Sequence, residues 1–198
     1  MKKLFLIFFI SLFSLYMGCG SGQVKTTYDE FKGATVVTMN MVHKITDWNA
    51  LMLMSWKGDY SREIVKGKKQ PVIVSFMLRA SGGQDDLLLQ IDPLEPKAFV
   101  KVDDTTFNLS LAEMSATQHN NYSESSIQVG PSKSFDKSSY RIYTGKIALD
   151  GNIEKAIMKS SSMMYRLYSG TKPITLQVND DQLASIKEFL TTDQTMTN

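Results

Sequence analysis

Hydrophobic and polar residues alternate along several short stretches of this chain, and a period of two is typical of β-strands. The clearest stretch spans residues 72–79, where Val72, Val74, Phe76 and Leu78 fall on one face of an extended chain. Similar runs predict further strands at residues 34–41, 50–56, 87–91, 98–102, 106–111, 127–129 and 140–149. Residues 56–71 contain two glycines and a cluster of charges, so we expect a loop or a long hairpin connection there. Residues 116–126 are polar, so we expect an exposed loop.

The last part of the chain carries signals for two helices and a hairpin. A turn at Asp150 precedes apolar residues with helical spacing, and strand-like runs at 163–168 and 174–178 flank a turn. Asn179 and Gln182 have the spacing of a capping box, and the helix that follows has the apolar face Leu183, Ile186, Phe189 and Leu190. The sequence therefore predicts an α+β fold that is mainly β, with an antiparallel sheet and one or two helices in the C-terminal part packing on it.

The first 18 residues have the form of a signal peptide. Lys2 and Lys3 precede an apolar stretch at residues 4–16, which is shorter than the ~20 residues of a permanent membrane helix. Gly18 and Cys19 follow and resemble the lipobox of bacterial lipoprotein precursors, although Tyr16 and the next residue differ from the usual leucine and small residue. The resemblance implies cleavage before Cys19, a diacylglycerol on its thiol and acylation of the new amino terminus.

An acylated Cys19 would anchor the mature chain to a membrane, because each buried methylene contributes about 0.8 kcal/mol. We expect a signal peptide at 1–18, a flexible tether at 19–27, a single β-rich domain at 28–190 and a frayed tail at 191–198. Gly20 stands where an aspartate would retain such a lipoprotein in the inner membrane, which favours the outer membrane of the bacterial cell envelope. The alternative is an ordinary leader followed by a chance cysteine.

Charge gives no indication of a polyanionic partner. The chain has 22 basic and 20 acidic residues, and removing Lys2 and Lys3 with the leader leaves 20 of each. Binding to nucleic acid requires a concentrated basic face, so we expect no nucleic-acid partner.

One set of residues has the chemistry of a metal site. Met39, Met41 and His43 alternate along one predicted strand, and Met52 and Met54 alternate along the next. Thioethers and imidazole suit Cu(I). The alternative is that the methionines fill irregular space in the core while His43 faces water at the end of its strand. We favour this second interpretation and predict neither a metal nor a cofactor.

Other candidate chemistry is better explained by local structure. The acidic pairs Asp85-Asp86, Asp103-Asp104 and Asp180-Asp181 stand where turns or helix starts favour aspartate, and His119 stands in a predicted polar loop. No nucleophile motif accompanies His43 or His119. The aromatic residues that could bind a ligand also suit a half-buried sheet surface; they are Trp48, Trp56, Tyr140, Tyr143, Tyr165 and Tyr168.

These observations favour a non-enzymatic envelope lipoprotein with a binding or assembly role, whose partner is an envelope protein or a small ligand. Two alternatives stay open. The domain would be a carrier if a small apolar ligand lies between the sheet and the C-terminal helix, and a hydrolase if a histidine meets a serine and an acid in a cleft.

Overall fold

The computed structural model describes residues 22–45, 52–82, 92–125 and 134–192. Cys19, the signal peptide, Asp85-Asp86, Trp48 and the predicted strands at 87–91 and 127–129 lie outside the described residues. The described elements are β1 (Val24–Asp29), β2 (Ala34–Ile45), β3 (Met52–Val65), β4 (Lys68–Lys69), β5 (Val72–Gly82), β6 (Lys97–Val102), β7 (Thr105–Ser110), β8 (Ala112–Ser125), β9 (Ser134–Leu149), α1 (Gly151–Lys159), β10 (Met163–Ser169), β11 (Lys172–Val178) and α2 (Asp180–Thr192). The predicted α+β, mainly β class with C-terminal helices is confirmed.

All eleven described strands belong to one sheet with the order β7-β6-β10-β11-β2-β3-β5-β9-β8. Strand β1 also pairs with β2, strand β4 pairs with β3, and each pairing of these strands is antiparallel. The link between β11 and β2 consists of only two residue pairs, Leu176 with Ile45 and Gln177 with Lys44. The sheet therefore has two halves, β7-β6-β10-β11 and β2-β3-β5-β9-β8, joined by a short ladder.

The sheet curls so that its two ends meet. Strands β7 and β8 stand at opposite ends of the strand order, yet Leu111 alone separates them in sequence. Because consecutive Cα atoms are about 3.8 Å apart, Ser110 and Ala112 lie within about 8 Å of each other. The curl turns one face of each half toward a shared interior, where Tyr165 of β10 contacts Trp56 of β3.

The structure corrects three expectations about the extent of the strands. Residues 57–65, predicted as part of a loop, continue β3, because Gly58, Tyr60 and Ile64 alternate inward with outward polar residues. In the predicted polar loop at 116–126, residues 116–125 instead form most of β8, an edge strand that pairs with β9. Strand β1 begins at Val24 and pairs with β2, so the expected tether to residue 27 is wrong for its last four residues.

Both C-terminal helices begin at the predicted caps. The Asp150 carboxylate accepts from the backbone N–H groups of Asn152 and Ile153 at 2.8 and 3.0 Å. At α2, the N–H of Gln182 donates to Asn179 Oδ1 at 2.8 Å, and the N–H of Asn179 donates to Gln182 Oε1 at 3.1 Å. The predicted apolar face of α2 is buried, with Leu183, Ile186, Phe189 and Leu190 in the core.

Asp103 serves as a structural residue in the turn between β6 and β7. It has a positive φ of 49°, and its Oδ1 accepts from the backbone N–H and hydroxyl groups of Ser161 and Ser162 at 2.9–3.2 Å. These bonds join the turn to the connection between α1 and β10 and hold the pKa of Asp103 below its usual value. The turn role predicted for this aspartate is confirmed.

The capping box of α2 can be tested by Asn179→Ala. The substitution removes the Oδ1 acceptor of the Gln182 N–H, and we expect a loss of about 1 kcal/mol in the free energy of unfolding. Urea titration of the purified protein measures this loss. Asn152→Ala, at an exposed helical position of α1, is the matched control and should change stability by no more than about 0.5 kcal/mol. Equal effects of the two substitutions would show that the cap contributes nothing specific.

Candidate functional site

The interior contains a cluster of aromatic and polar side chains from both halves of the sheet. The Tyr60 hydroxyl lies 3.3 Å from Nε2 of His43 and 3.2 Å from the Tyr165 hydroxyl. The rings of His43 and Trp56 have centroids 4.6 Å apart, and Trp56 meets Tyr165 edge-on at 5.4 Å. All four residues are at least 98% buried. We call this set the interior cluster.

Burial sets the protonation states of the interior cluster. It lowers the pKa of His43 to about 4, because desolvation disfavours the imidazolium more than hydrogen bonding by the Gln182 side chain and the Gln177 backbone favours it. Burial also raises the pKa values of Tyr60 and Tyr165 above those of free tyrosine. His43 and both tyrosines are therefore neutral near pH 7. The prediction that His43 faces water is wrong, because its strand continues past Met41 and directs the ring inward.

A buried ion pair adjoins this region. Arg62 of β3 is 3% exposed and forms an ion pair with Glu154 of α1, whose side chain is 19% exposed. An arginine on the inward face of a strand needs such a partner, because an uncompensated buried charge costs several kcal/mol. Since Arg62 and the interior cluster are sealed from solvent, we interpret both as supports of the fold rather than as a site for a ligand.

The predicted copper set is only partly described. Met39 and Met41 are buried in the core, as the core interpretation predicts. Met52 and Met54 belong to β3, but their side chains lie outside what the structure describes. The Nε2 atom of His43 lies within hydrogen-bond distance of the Tyr60 hydroxyl. In the described part of the chain, no three His, Cys, Asp or Glu residues come together as a possible metal site.

His119 stands on the outer face of the sheet, far in strand order from His43. It is half-buried and stacks on Tyr140 with ring centroids 4.9 Å apart, while the Arg79 guanidinium lies 4.1 Å from the Tyr140 centroid on the same sheet face. The prediction of a solvated loop histidine is wrong, because cross-strand pairing places His119 directly opposite Tyr140.

Asp180 and Asp181 begin α2, as predicted from the helix dipole.

The best candidate for a ligand site is a groove on the outer face of β6, β7 and β10. Its cavity of about 490 Å³ lies in the range of small-molecule sites, ~300–1,000 Å³. We call it the outer groove, and the residues that line it are Phe99, Lys101, Thr106, Met164, Arg166 and Tyr168. The Phe99 and Tyr168 rings meet edge-on at 5.9 Å.

Strand pairing brings the outer groove together from distant segments. Arg166 is paired with Phe99 across β10 and β6, and Lys101 is paired with Met164 on one side and Thr106 on the other. Arg166 Nε donates to Thr175 Oγ1 at 3.1 Å, which orients the guanidinium along the sheet. Among these residues, only Tyr168 is also a binding candidate by its sequence pattern. The alternation Lys97-x-Phe99-x-Lys101 indicates that these three side chains share one face of a strand. The pairing of β6 with β10 could not be predicted from the sequence.

The remaining aromatic candidates divide between core and surface. Trp56, Tyr143 and Tyr165 are buried, whereas Tyr140 and Tyr168 are half-buried on the outer face. Of the candidates that the structure describes, Tyr168 alone lines the outer groove.

The depressed pKa of His43 predicts a loss of stability in acid. The unfolded chain gains a proton near pH 6.5, while the folded chain does so only near pH 4, so the free energy of unfolding falls as pH decreases between these values. The expected total loss is about 3 kcal/mol, measured by urea titration at pH 7 and pH 4. His43→Gln cannot titrate and should lack this loss, whereas His119→Gln should retain it. An unchanged pH dependence in His43→Gln would contradict the assignment.

None of the described helices has the length and apolarity that a membrane crossing requires. Comparison of the chain with protein-family models, with curated proteins and with solved structures gives no match.

Proposed function

We propose that this chain is a lipid-anchored protein of the bacterial envelope that binds a ligand in the outer groove without chemical conversion. The observation that carries the binding role is the groove itself, an open cavity of about 490 Å³ that combines rings, a thioether and cations. Small-molecule sites typically combine an apolar lining with a few polar groups that fix orientation. The proposal of a lipid anchor rests on Gly18 and Cys19, which resemble a lipobox.

The start of the folded domain is compatible with a short anchor. The N–H of Gly22 donates to the Asn40 carbonyl at 2.7 Å, and Gly22 also lies against Ser185 of α2. Only two residues separate Cys19 from Gly22, and three extended peptide units span about 11 Å. Acylation of Cys19 would therefore hold this part of the domain close to the membrane surface.

The packing of α2 favours the outer groove over a carrier cavity beneath the helix. Phe189 contacts the Tyr60 ring at a centroid distance of 6.1 Å, and Ile186 and Leu183 are at most 5% exposed. These side chains fill the contact between α2 and the sheet. The outer groove, by contrast, is open and lined by side chains that the core does not use.

The anchor is tested by replacing Cys19 with serine in the full chain. We expect the wild-type protein to fractionate with membranes and to show an acylated amino-terminal cysteine by mass spectrometry. The Cys19→Ser chain should lack the acyl mass. Native protein with a free thiol at Cys19, or with a mature amino terminus elsewhere, would contradict the proposed anchor.

The groove is tested with a photoreactive residue in intact envelopes. We expect p-benzoylphenylalanine in place of Thr106, on the groove lining, to form a covalent adduct on irradiation, because a bound ligand would lie within reach. The same residue in place of Lys68, exposed on β4, is the control. Adducts are detected as mass shifts of the peptide that contains the replaced position. Equal yields at positions 106 and 68 would rule out a specific role for the groove.

A further inference from the structure

The outer groove combines positive charge with an apolar lining. Lys101 lines it from β6 and Arg166 from β10, and among the described residues that form the lining none is acidic. Lys97 extends the positive charge along β6, with Nζ 5.4 Å from the Phe99 ring centroid. Both lysines are exposed, so their ammonium groups can meet a ligand without a large desolvation cost.

The apolar part of the groove is formed by side chains that suit an alkyl or ring surface. Phe99 and Tyr168 stand edge to face, and Met164 lies beside Lys101 in the strand register. Methionine is flexible and polarizable, so it can adapt to ligands of different shape. Phe99, Met164 and Tyr168 are all half-buried and therefore keep part of their surface open to a ligand.

From this combination we infer that the outer groove binds a small amphipathic anion, in which one carboxylate or phosphate is joined to an apolar chain or ring. The inference rests on the proposed function and deepens it. The apolar part would cover Phe99, Met164 and Tyr168, while Lys101 of the lining and Lys97 beside the Phe99 ring attract the anionic group. A neutral apolar molecule would use the rings but gain nothing from the lysines, and a small inorganic anion would leave the rings unused.

The size of the groove favours a small ligand over a polymer. A cavity of about 490 Å³ accommodates one drug-sized or medium-chain molecule. A long polyanion would need a positive surface that continues beyond the groove. On the adjacent strands, however, the residues paired with Lys101 and Arg166 are the uncharged Thr106 and Thr175.

The experiment uses a matched pair of photoreactive probes on envelopes that contain the full chain. Dodecanoate with a terminal diazirine supplies the anion, and the corresponding diazirine dodecanol supplies the same apolar chain without charge. After irradiation, mass spectrometry locates the label. We expect the carboxylate probe to label peptides that contain residues 97–106 and 163–168 about tenfold more than the alcohol does.

Substitutions separate the contribution of charge from that of apolar contact. Lys97→Gln with Lys101→Gln should lower labelling by the carboxylate about tenfold and leave labelling by the alcohol unchanged. Lys155→Gln with Lys159→Gln, which removes two exposed lysines from α1, is the matched control and should change neither. Unfolding midpoints in urea confirm that both double variants fold.

Each contrary result has a defined meaning. Equal labelling by the two probes, or labelling that survives Lys97→Gln with Lys101→Gln, overturns the anionic specificity. Labelling confined to peptides outside the groove overturns the inference as well. If the photoreactive residue at position 106 still forms adducts in these cases, the groove binds a ligand of another chemistry and the proposed function survives. If position 106 also forms no specific adduct, the proposed function fails too.

Discussion

The contact of Trp56 and Tyr60 with Tyr165 holds the two halves of the sheet together. Only two residue pairs join β11 to β2, and so short a ladder fixes the angle between the halves weakly. The interior cluster restricts the angle between the halves, because the Trp56 ring of β3 packs against the Tyr165 ring of β10. The hydroxyl groups of Tyr60 and Tyr165 also join the two strands by a hydrogen bond. Aromatic pairs contribute about 0.5–1.5 kcal/mol beyond their buried area, so these contacts stabilise the curl substantially.

The same packing fixes the outer groove. Along β6, Ala98 and Val100 face the core while Phe99 and Lys101 face outward, and along β10 Tyr165 faces inward while Met164 and Arg166 face outward. A strand that is held by its inner residues cannot slip by one position without exposing them all. The register of the groove is therefore set by the hydrophobic core, although no groove residue belongs to the interior cluster.

Sequence patterns predicted the elements whose signals are local. The capping residues Asp150 and Asn179, the turn at Asp103 and the alternation in β5 all depend on neighbours within a few positions. Strand β8 was missed because the side chains of residues 112–120 are exposed on both faces, apart from the half-buried His119, so this part of the edge strand has no apolar period. The buried ion pair of Arg62 could not be predicted for a different reason, because its partner Glu154 is far away in sequence. The groove was invisible because it requires the pairing of β6 with β10.

The late position of α2 in the chain has a consequence for a protein that folds as it emerges amino terminus first. Strands β2 and β3 appear early, but their inner residues Met41, His43 and Tyr60 stay uncovered until β10, β11 and α2 have been synthesised and released. The Gln182 side chain then bonds the Val42 carbonyl at 2.6 Å and joins the last helix to an early strand. Vectorial folding therefore leaves an apolar surface exposed until β10, β11 and α2 cover it, and a product terminated before these elements would be a natural target for proteases and holdase chaperones.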